Sequence, residues 1–173
     1  LLFKKFKSNN FNLNYNSKET FILINNWFML FYLATVLLGT VYPIFTEVLT
    51  DYKVSIGPPF YNTVIIPILV VFLFFMAIGP KTKWIKNKFD NLNLLLLILI
   101  GSVFINFSII YFFKSYSLIS NFVIISSVFL LISSLTDLYK LAKNKGTDIA
   151  RIISHSAFGF LIFFISLNYN FSL

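Results

Sequence analysis

Five apolar runs, each long enough to cross a membrane as a helix, constrain the fold of this chain more than any other feature. Crossing about 30 Å of hydrocarbon takes about 20 helical residues. The runs lie at about residues 20–45, 61–79, 92–113, 118–138 and 149–169. Because 58% of the 173 residues are hydrophobic and 12% are charged, a soluble core of this length cannot bury the apolar surface. We therefore predict an all-α fold, a polytopic transmembrane helix bundle of about five spans that forms a single transmembrane domain over residues 1–173.

Basic residues predict how this bundle is oriented. All but two of the 14 Lys and Arg residues lie before the first run, between the second and third, or around the start of the fifth. The segments on the other side of the membrane hold only Lys53 and Lys114. Since cytoplasmic loops carry an excess of basic residues, we predict the N-terminus inside and the C-terminus outside. The net charge of +8 then reflects topology, so we expect the lipid bilayer, and no nucleic acid, as a partner.

Ionisable and metal-binding residues are too few for several classes of function. His155 is the only histidine, Asp137 ends the fourth run and Glu47 follows the first, whereas proton relays and ion pathways need paired groups at depth. The absence of cysteine excludes disulfides, thiolate metal sites and iron–sulfur ligation. No hydrolase frame surrounds Ser133 and Ser134. We therefore predict no catalytic residue in this chain.

His155 is the strongest candidate for a binding role. On a helix, Arg151 lies one turn before it and Gly159 one turn after it. An imidazole beside a glycine gap suits a flat, bulky partner, and the Arg151 cation near the interface suits a carboxylate on that partner. Haem has these requirements, because its iron takes an imidazole nitrogen and its propionates take a cation. The alternative, which the residues alone leave open, is that His155 hydrogen-bonds a neighbouring helix and binds nothing.

The connection between the first two runs, "SIGPPFYN", predicts a rigid turn on the outer face. We expect Gly57 to adopt a backbone angle that most residues avoid, with Pro58 and Pro59 stiffening the residues after it. Pro43 should lie near the outer end of the first helix, where a missing N–H costs little, and Gly79-Pro80 should end the second helix. The phenylalanine-rich run "VVFLFFMAIGP" is expected to face lipid.

Residues 25–80 resemble the CcmF family, the haem lyase component of the cytochrome c maturation machinery. The family pattern has paired asparagines, then "TVLLGTLYP", then "SVGPPYFN", then an apolar helix that closes on "GP". This chain has Asn25-Asn26, Thr35–Pro43, Ser55–Asn62 and Gly79-Pro80 in that order and at similar spacing. A second, shorter stretch, "DIARIISHSAFGFLIFF", is similar to a family helix and places His155 on one of two transmembrane histidine ligands of a b-type haem.

The resemblance implies a part of a cytochrome c-type biogenesis protein, which helps to attach haem covalently to apocytochrome c on the outer face of the membrane. It implies haem b as cofactor, with His155 as an axial ligand of the haem iron and Arg151 as a candidate propionate contact. The implied partners are a haem chaperone, other cytochrome c maturation subunits and apocytochrome c. The implied location is the bacterial cytoplasmic (inner) membrane, with the mitochondrial inner membrane as the alternative.

The chain departs from the family pattern in ways that shape these expectations. The family's tryptophan-rich signature, its paired outer-face histidines and its second transmembrane histidine do not occur in this sequence. We therefore expect a central-to-C-terminal fragment that is not a complete haem lyase by itself. The alternative from another class is a non-enzymatic membrane subunit of a respiratory or transport complex, in which His155 only packs.

Overall fold

Five long helices and one short 3-10 turn make up the computed structural model, which describes residues 18–50, 53–82, 92–113, 118–144 and 149–171. The helices are α1 (Lys18–Thr50), α2 (Pro58–Ile78), α3 (Leu92–Phe113), α4 (Leu118–Asn144) and α5 (Ile149–Phe171), and the turn is Gly79–Lys81. All five helices are long and apolar enough to cross a membrane. The predicted all-α bundle with five spans is therefore confirmed, and the chain is built as a multi-pass membrane protein.

The orientation of the bundle stays a prediction. Lys114 and many of the other basic residues that indicate it lie outside the described residues. What the structure does give is the relative direction of the helices. One end of the bundle holds the start of α2, the start of α4 and the end of α5, and we call it the elbow end. The other end holds the turn Gly79–Lys81, the end of α4 and the start of α5, and we call it the lysine end.

Two helices continue beyond the apolar runs that predict them. The first run was expected to end at about residue 45, but α1 continues to Thr50, with Pro43 inside it. The Thr46 hydroxyl donates to the carbonyl oxygen of Pro43 at 2.9 Å within this extension. At 33 residues, α1 is about 50 Å long, more than the hydrocarbon thickness. Likewise α4 passes the expected end near residue 138 and reaches Asn144. Helices need not stop at the lipid boundary, because water and headgroups solvate their polar turns.

The elbow between α1 and α2 has an ordinary backbone at its glycine. Gly57 has φ −102° and ψ −178°, an extended conformation that any residue adopts, so the expectation of a special backbone angle there is wrong. Pro58 is the first residue of α2, where its fixed φ suits a helix and no N–H is lost. The Phe60 amide donates to the Gly57 carbonyl oxygen at 3.1 Å. The prolines, and not the glycine, define this turn.

The other end of α2 is as expected. The helix ends at Ile78 and passes into the turn Gly79–Lys81, which confirms the stop predicted at Gly79-Pro80. Thr82 closes the turn, since its amide and its hydroxyl both donate to the Gly79 carbonyl oxygen, at 3.2 Å and 2.7 Å. The chain therefore leaves α2 in a fixed direction.

The core is built around α4. In the most apolar stretch of α4, 56% is buried inside the protein, whereas in that of α1 only 6% is buried. The core cluster takes side chains from four helices: Leu73 and Ala77 of α2, Leu95 and Ile98 of α3, Val123, Phe129 and Leu130 of α4, and Ile162 of α5. Helix α4 thus packs against α2, α3 and α5, whereas α1 packs against α2 and the turn at its end.

Aromatic side chains fill the contact between α1 and α2. Phe28 and Tyr32 of α1 both lie against Phe72 of α2, with ring centroids 5.4 Å and 5.8 Å apart. Phe72 is 2% exposed. The phenylalanine-rich run was expected to face lipid, and for Phe72 and its neighbour Leu73 this is wrong, because α1 and α4 cover that side of α2.

Candidate functional site

A cavity of about 180 Å³ opens at the lysine end between α1, α2 and α5. Its lining comprises Lys18, Phe21, Ile22 and Asn25 of α1, Phe75, Met76, Gly79 and Pro80 of α2 and its turn, and Arg151 and His155 of α5. Both predicted site residues, His155 and Arg151, therefore lie on one cavity. Asn25 and Gly79-Pro80, which belong to the longer stretch of family resemblance, lie on the same cavity although they are far from His155 in sequence.

The imidazole of His155 is half-buried in the wall of this cavity. Within the described part of the chain, His155 has no hydrogen-bond partner, so the hypothesis that it bonds a neighbouring helix gains no support from these residues. Arg151 lies one turn before it, in the first turn of α5, and Lys18 is the first residue of α1. The cavity thus combines an imidazole with two cations near the end of the bundle.

Gly159 does not provide the gap that was expected beside His155. A methyl group at Gly159 would lie 3.0 Å from Cδ2 and 3.1 Å from Cγ of Leu131. The missing side chain at Gly159 therefore lets α4 pack closely against α5, and the space is not left for a flat ligand. Ile152 and Ile162, on the same side of α5, are also buried. The expectation of a glycine slot is therefore wrong, since that face of α5 is covered by protein.

The apolar wall next to His155 comes instead from α1 and α2. Phe21 and Phe75 both line the cavity, and their ring centroids lie 5.5 Å apart. Met76 adds a flexible thioether, a side chain that adapts to irregular partners. An imidazole, an aromatic wall and cations near the interface therefore meet here, and the wall comes from α1 and α2 instead of the predicted gap at Gly159.

Lys81 is a buried, paired cation near the cavity that sequence reasoning missed. By sequence it belongs to a basic patch, but its side chain is buried, and the residue is 4% exposed. Its Nζ donates to Thr136 Oγ1 at 2.9 Å and lies 3.4 Å from Asp137 Oδ1 and 3.4 Å from the Ser133 carbonyl oxygen. One signal could have found it: Asp137 ends a span at the same side of the membrane where a cation directly follows the "GP" stop.

This buried network fixes one wall of the cavity. It attaches the turn Gly79–Lys81 to α4, and two residues of that turn, Gly79 and Pro80, line the cavity with His155. The Ser133 hydroxyl adds a bond to the Ala77 carbonyl oxygen at 3.0 Å. We infer that the position of the turn depends on the pairing of Lys81 with α4, because a buried cation requires acceptors.

Neighbouring hydroxyls hold helices together and form no hydrolytic set. Ser134 bonds the Leu131 carbonyl oxygen at 2.9 Å and receives a hydrogen bond from Ser156 at 2.9 Å, which joins α4 to α5. Hydrogen bonds of this kind are a usual means of joining membrane helices.

The elbow motif lies at the far end of the bundle from His155. A methyl group at Gly39 would lie 2.5 Å from Tyr61 Oη and 2.9 Å from Tyr61 Cζ, so the glycine of "TVLLGTVYP" accommodates the tyrosine of "SIGPPFYN". Gly39 lies about 21 Å along α1 from Asn25. Residues of the family-like stretch therefore lie at both ends of the bundle. Gly39 and Tyr61 pack against each other at the elbow end, and Asn25 and Gly79-Pro80 line the His155 cavity at the lysine end.

The residues of the cavity fit haem in their chemistry. Haem supplies its own equatorial nitrogen ligands, so it takes one or two axial donors from protein, an apolar surface for the ring and cations for its propionates. His155, the pair Phe21 and Phe75, and Arg151 with Lys18 are groups of those kinds. No cluster of three or more His, Cys, Asp or Glu that could hold a metal ion occurs among the described residues, so a bare ion has no comparable donor set there.

Comparison with known proteins gives relatives of one kind. Over 133 residues, 75% of this chain and 20% of the relative, it is 29% identical to the cytochrome c-type biogenesis protein CcmF of Pseudomonas fluorescens. Over 100 residues, 57% of this chain and 16% of the relative, it is 30% identical to CcmF of Escherichia coli. The cytochrome c-type biogenesis protein CycK of Bradyrhizobium diazoefficiens is 38% identical over 68 residues, 39% of this chain and 10% of the relative.

The chain spans at most about one fifth of the length of these relatives. No family model matches it. No solved structure matches it significantly.

Proposed function

We propose that this chain, a relative of the CcmF proteins over about one fifth of their length, is part of a cytochrome c-type biogenesis protein. The resemblance predicted from its motifs is confirmed by those relatives. One observation carries the proposal for the site. Asn25 and Gly79-Pro80 belong to one stretch of resemblance and His155 to another, and all of them line a single cavity.

The cavity is proposed to form one part of a haem b site, since at about 180 Å³ it does not enclose the whole macrocycle. His155 would be an axial ligand of its iron, Arg151 would pair with a propionate, and the rings of Phe21 and Phe75 would contact the macrocycle and exclude water from it. When bound, a b-type haem supplies one-electron transfer. The chain's own contribution is to keep the imidazole nitrogen available, to neutralise carboxylates near the membrane boundary and to hold the wall in place through Lys81.

The whole protein is proposed to help attach haem covalently to apocytochrome c on the outer face of the membrane, as a haem lyase component. A haem chaperone, other cytochrome c maturation subunits and apocytochrome c are its proposed partners. The bacterial inner membrane is its proposed location. The names of the relatives, cytochrome c-type biogenesis proteins, support the general part of this proposal, a role in cytochrome c biogenesis.

Difference spectra of the purified natural protein test the ligand assignment. In reduced-minus-oxidised spectra, His155→Ala should lose the b-type signal, because the imidazole is the proposed iron ligand. Ser154→Ala is the matched control: its hydroxyl is exposed and bonds the Ala150 carbonyl oxygen at 2.8 Å, outside the cavity. An unchanged b-type signal in His155→Ala would show that another residue ligates the haem.

Formation of c-type cytochromes in a strain lacking the natural protein tests the wider role. Wild type should restore haem-stained c-type cytochromes, and His155→Ala should restore them poorly. Normal haem-stained c-type cytochromes in the strain without the natural protein, with no b-type haem in the purified wild type, would favour the non-enzymatic membrane subunit.

A further inference from the structure

A second cavity, of about 380 Å³, opens at the elbow end between α2, α4 and α5. It is separate from the His155 cavity, since it is lined by the opposite ends of α2 and α5 and by the start of α4. Its volume is in the range of small-molecule sites, about 300–1,000 Å³, and its lining is mostly apolar with a few polar groups, as in such sites. None of the described residues that line it is charged.

Two mostly buried serines line this cavity, and their hydroxyls have no hydrogen-bond partner among the described residues. Ser120 is 6% exposed and Ser166 is 7% exposed, and both line the cavity. Other buried serines of the bundle differ, since Ser126 and Ser127 each bond a carbonyl oxygen of their own helix at 2.9 Å. Both hydroxyls are accessible from the cavity, so they can donate to an acceptor that enters it.

Polarity changes along the depth of the cavity. Asn62, Ser120 and Ser166 lie within one or two turns of the helix ends at the elbow, whereas most of the apolar lining, apart from Ile119 and Tyr169, lies further in. At a rise of about 1.5 Å per residue, Ile66 lies about 6 Å deeper than Asn62, and Ile162 about 6 Å deeper than Ser166. The cavity is therefore polar towards the membrane interface and apolar towards the bilayer centre.

We propose that this cavity binds the glycerol ester region of a membrane phospholipid. The Ser120 and Ser166 hydroxyls donate to ester carbonyl oxygens, and the first part of an acyl chain lies against Ile66 and Ile162. Ester carbonyls accept hydrogen bonds and donate none, which matches two free donors. The lack of charged lining favours this neutral part of the lipid over its phosphate, and it disfavours the carboxylates of haem.

Lipid retention by the full natural protein tests the proposal. The protein is placed in nanodiscs of an ester-linked phospholipid, or of its ether-linked analogue with the same headgroup and chains. It is then delipidated, and native mass spectrometry measures the fraction of protein that keeps a bound lipid. Wild type should retain the ester lipid better than the ether lipid. Ser120→Ala and Ser166→Ala should each lower retention of the ester lipid about threefold, the factor typical of one hydrogen bond inside a membrane protein.

Controls separate a site from general lipid adhesion. Ser154→Ala, on the exposed side of α5, should retain ester lipid as wild type does, and the double variant at 120 and 166 should no longer distinguish ester from ether lipid. Ser166→Phe should fill the cavity and abolish retention while circular dichroism reports an unchanged helix content. If Ser166→Ala matches Ser154→Ala, or wild type retains both lipids equally, the proposal is wrong. Recovery of a quinone, a haem or a cross-linked polypeptide from this cavity would overturn the lipid assignment.

Discussion

The lysine end and the elbow end of this bundle each have a cavity and an ion pair, and they differ in both. At the lysine end the cavity contains an imidazole and two cations, and the ion pair of Lys81 with Asp137 is buried. At the elbow end none of the described residues that line the cavity is charged, and the pair of Lys53 with Glu47, 3.8 Å apart, is exposed. Among the described residues, a buried charge therefore occurs at the lysine end only.

The comparison shows that the family-like segment, residues 25–80, contributes to helix packing at one end and to a cavity at the other. Residues of the family-like segment lie at both ends, but at the elbow end they pack, as Gly39 does against Tyr61. At the lysine end they line the cavity of His155. Buried polar and charged groups in a membrane protein mark functional sites more often than apolar contacts do, so the chemistry is expected at the lysine end.

The largest effect should come from breaking the buried ion pair. Asp137→Ala leaves Lys81 as a buried cation without its carboxylate, which should lower the free energy of unfolding by about 3–5 kcal/mol. Denaturant unfolding in detergent measures it. The control is Glu47→Ala at the elbow end, where the exposed pair should contribute about 0–1 kcal/mol. Equal effects of the two variants would contradict the contrast between the ends.

An intermediate effect is expected where α1 crosses α2. Gly39→Val places side-chain atoms where Tyr61 lies, so it should cost about 1–3 kcal/mol of stability through overpacking. Gly101→Ala is the control, since a methyl group there meets nothing within 4 Å, and it should be neutral or stabilising by up to about 1 kcal/mol. Thermal unfolding compares the two. Recovery of stability in Gly39→Val combined with Tyr61→Ala would confirm that the tyrosine is the obstacle.

The smallest effect distinguishes paired from unpaired serines. Ser156→Ala removes the hydrogen bond to Ser134 at the lysine end and should cost about 0.6 kcal/mol. Ser166→Ala, at the elbow end, removes no hydrogen bond within the described residues, so in delipidated protein its cost should be close to zero. Paired unfolding curves with and without added phospholipid measure both. A loss from Ser166→Ala that is independent of lipid would place its partner within the protein.

Local sequence predicted the helices well and their surroundings poorly. Length and hydrophobicity define five spans, and Gly79-Pro80 marks a real helix end. The ends of α1 and α4 were missed, because a helix that leaves the hydrocarbon does not have to stop there. At Gly57 the residue type suggested a special angle, but the adjoining prolines impose the turn with an ordinary extended backbone.

Sequence by itself determined that the chain forms membrane-spanning helices, that it is related to CcmF proteins and that His155 and Arg151 share one face of a helix. Only the tertiary structure decided which neighbour each face meets. Gly159 faces Leu131 instead of a ligand, and Lys81, one lysine of a basic patch, is buried because Asp137 and Thr136 of α4 lie beside it. The physical reason is that burial and pairing depend on residues distant in sequence, whereas hydrophobic length and helix periodicity are local.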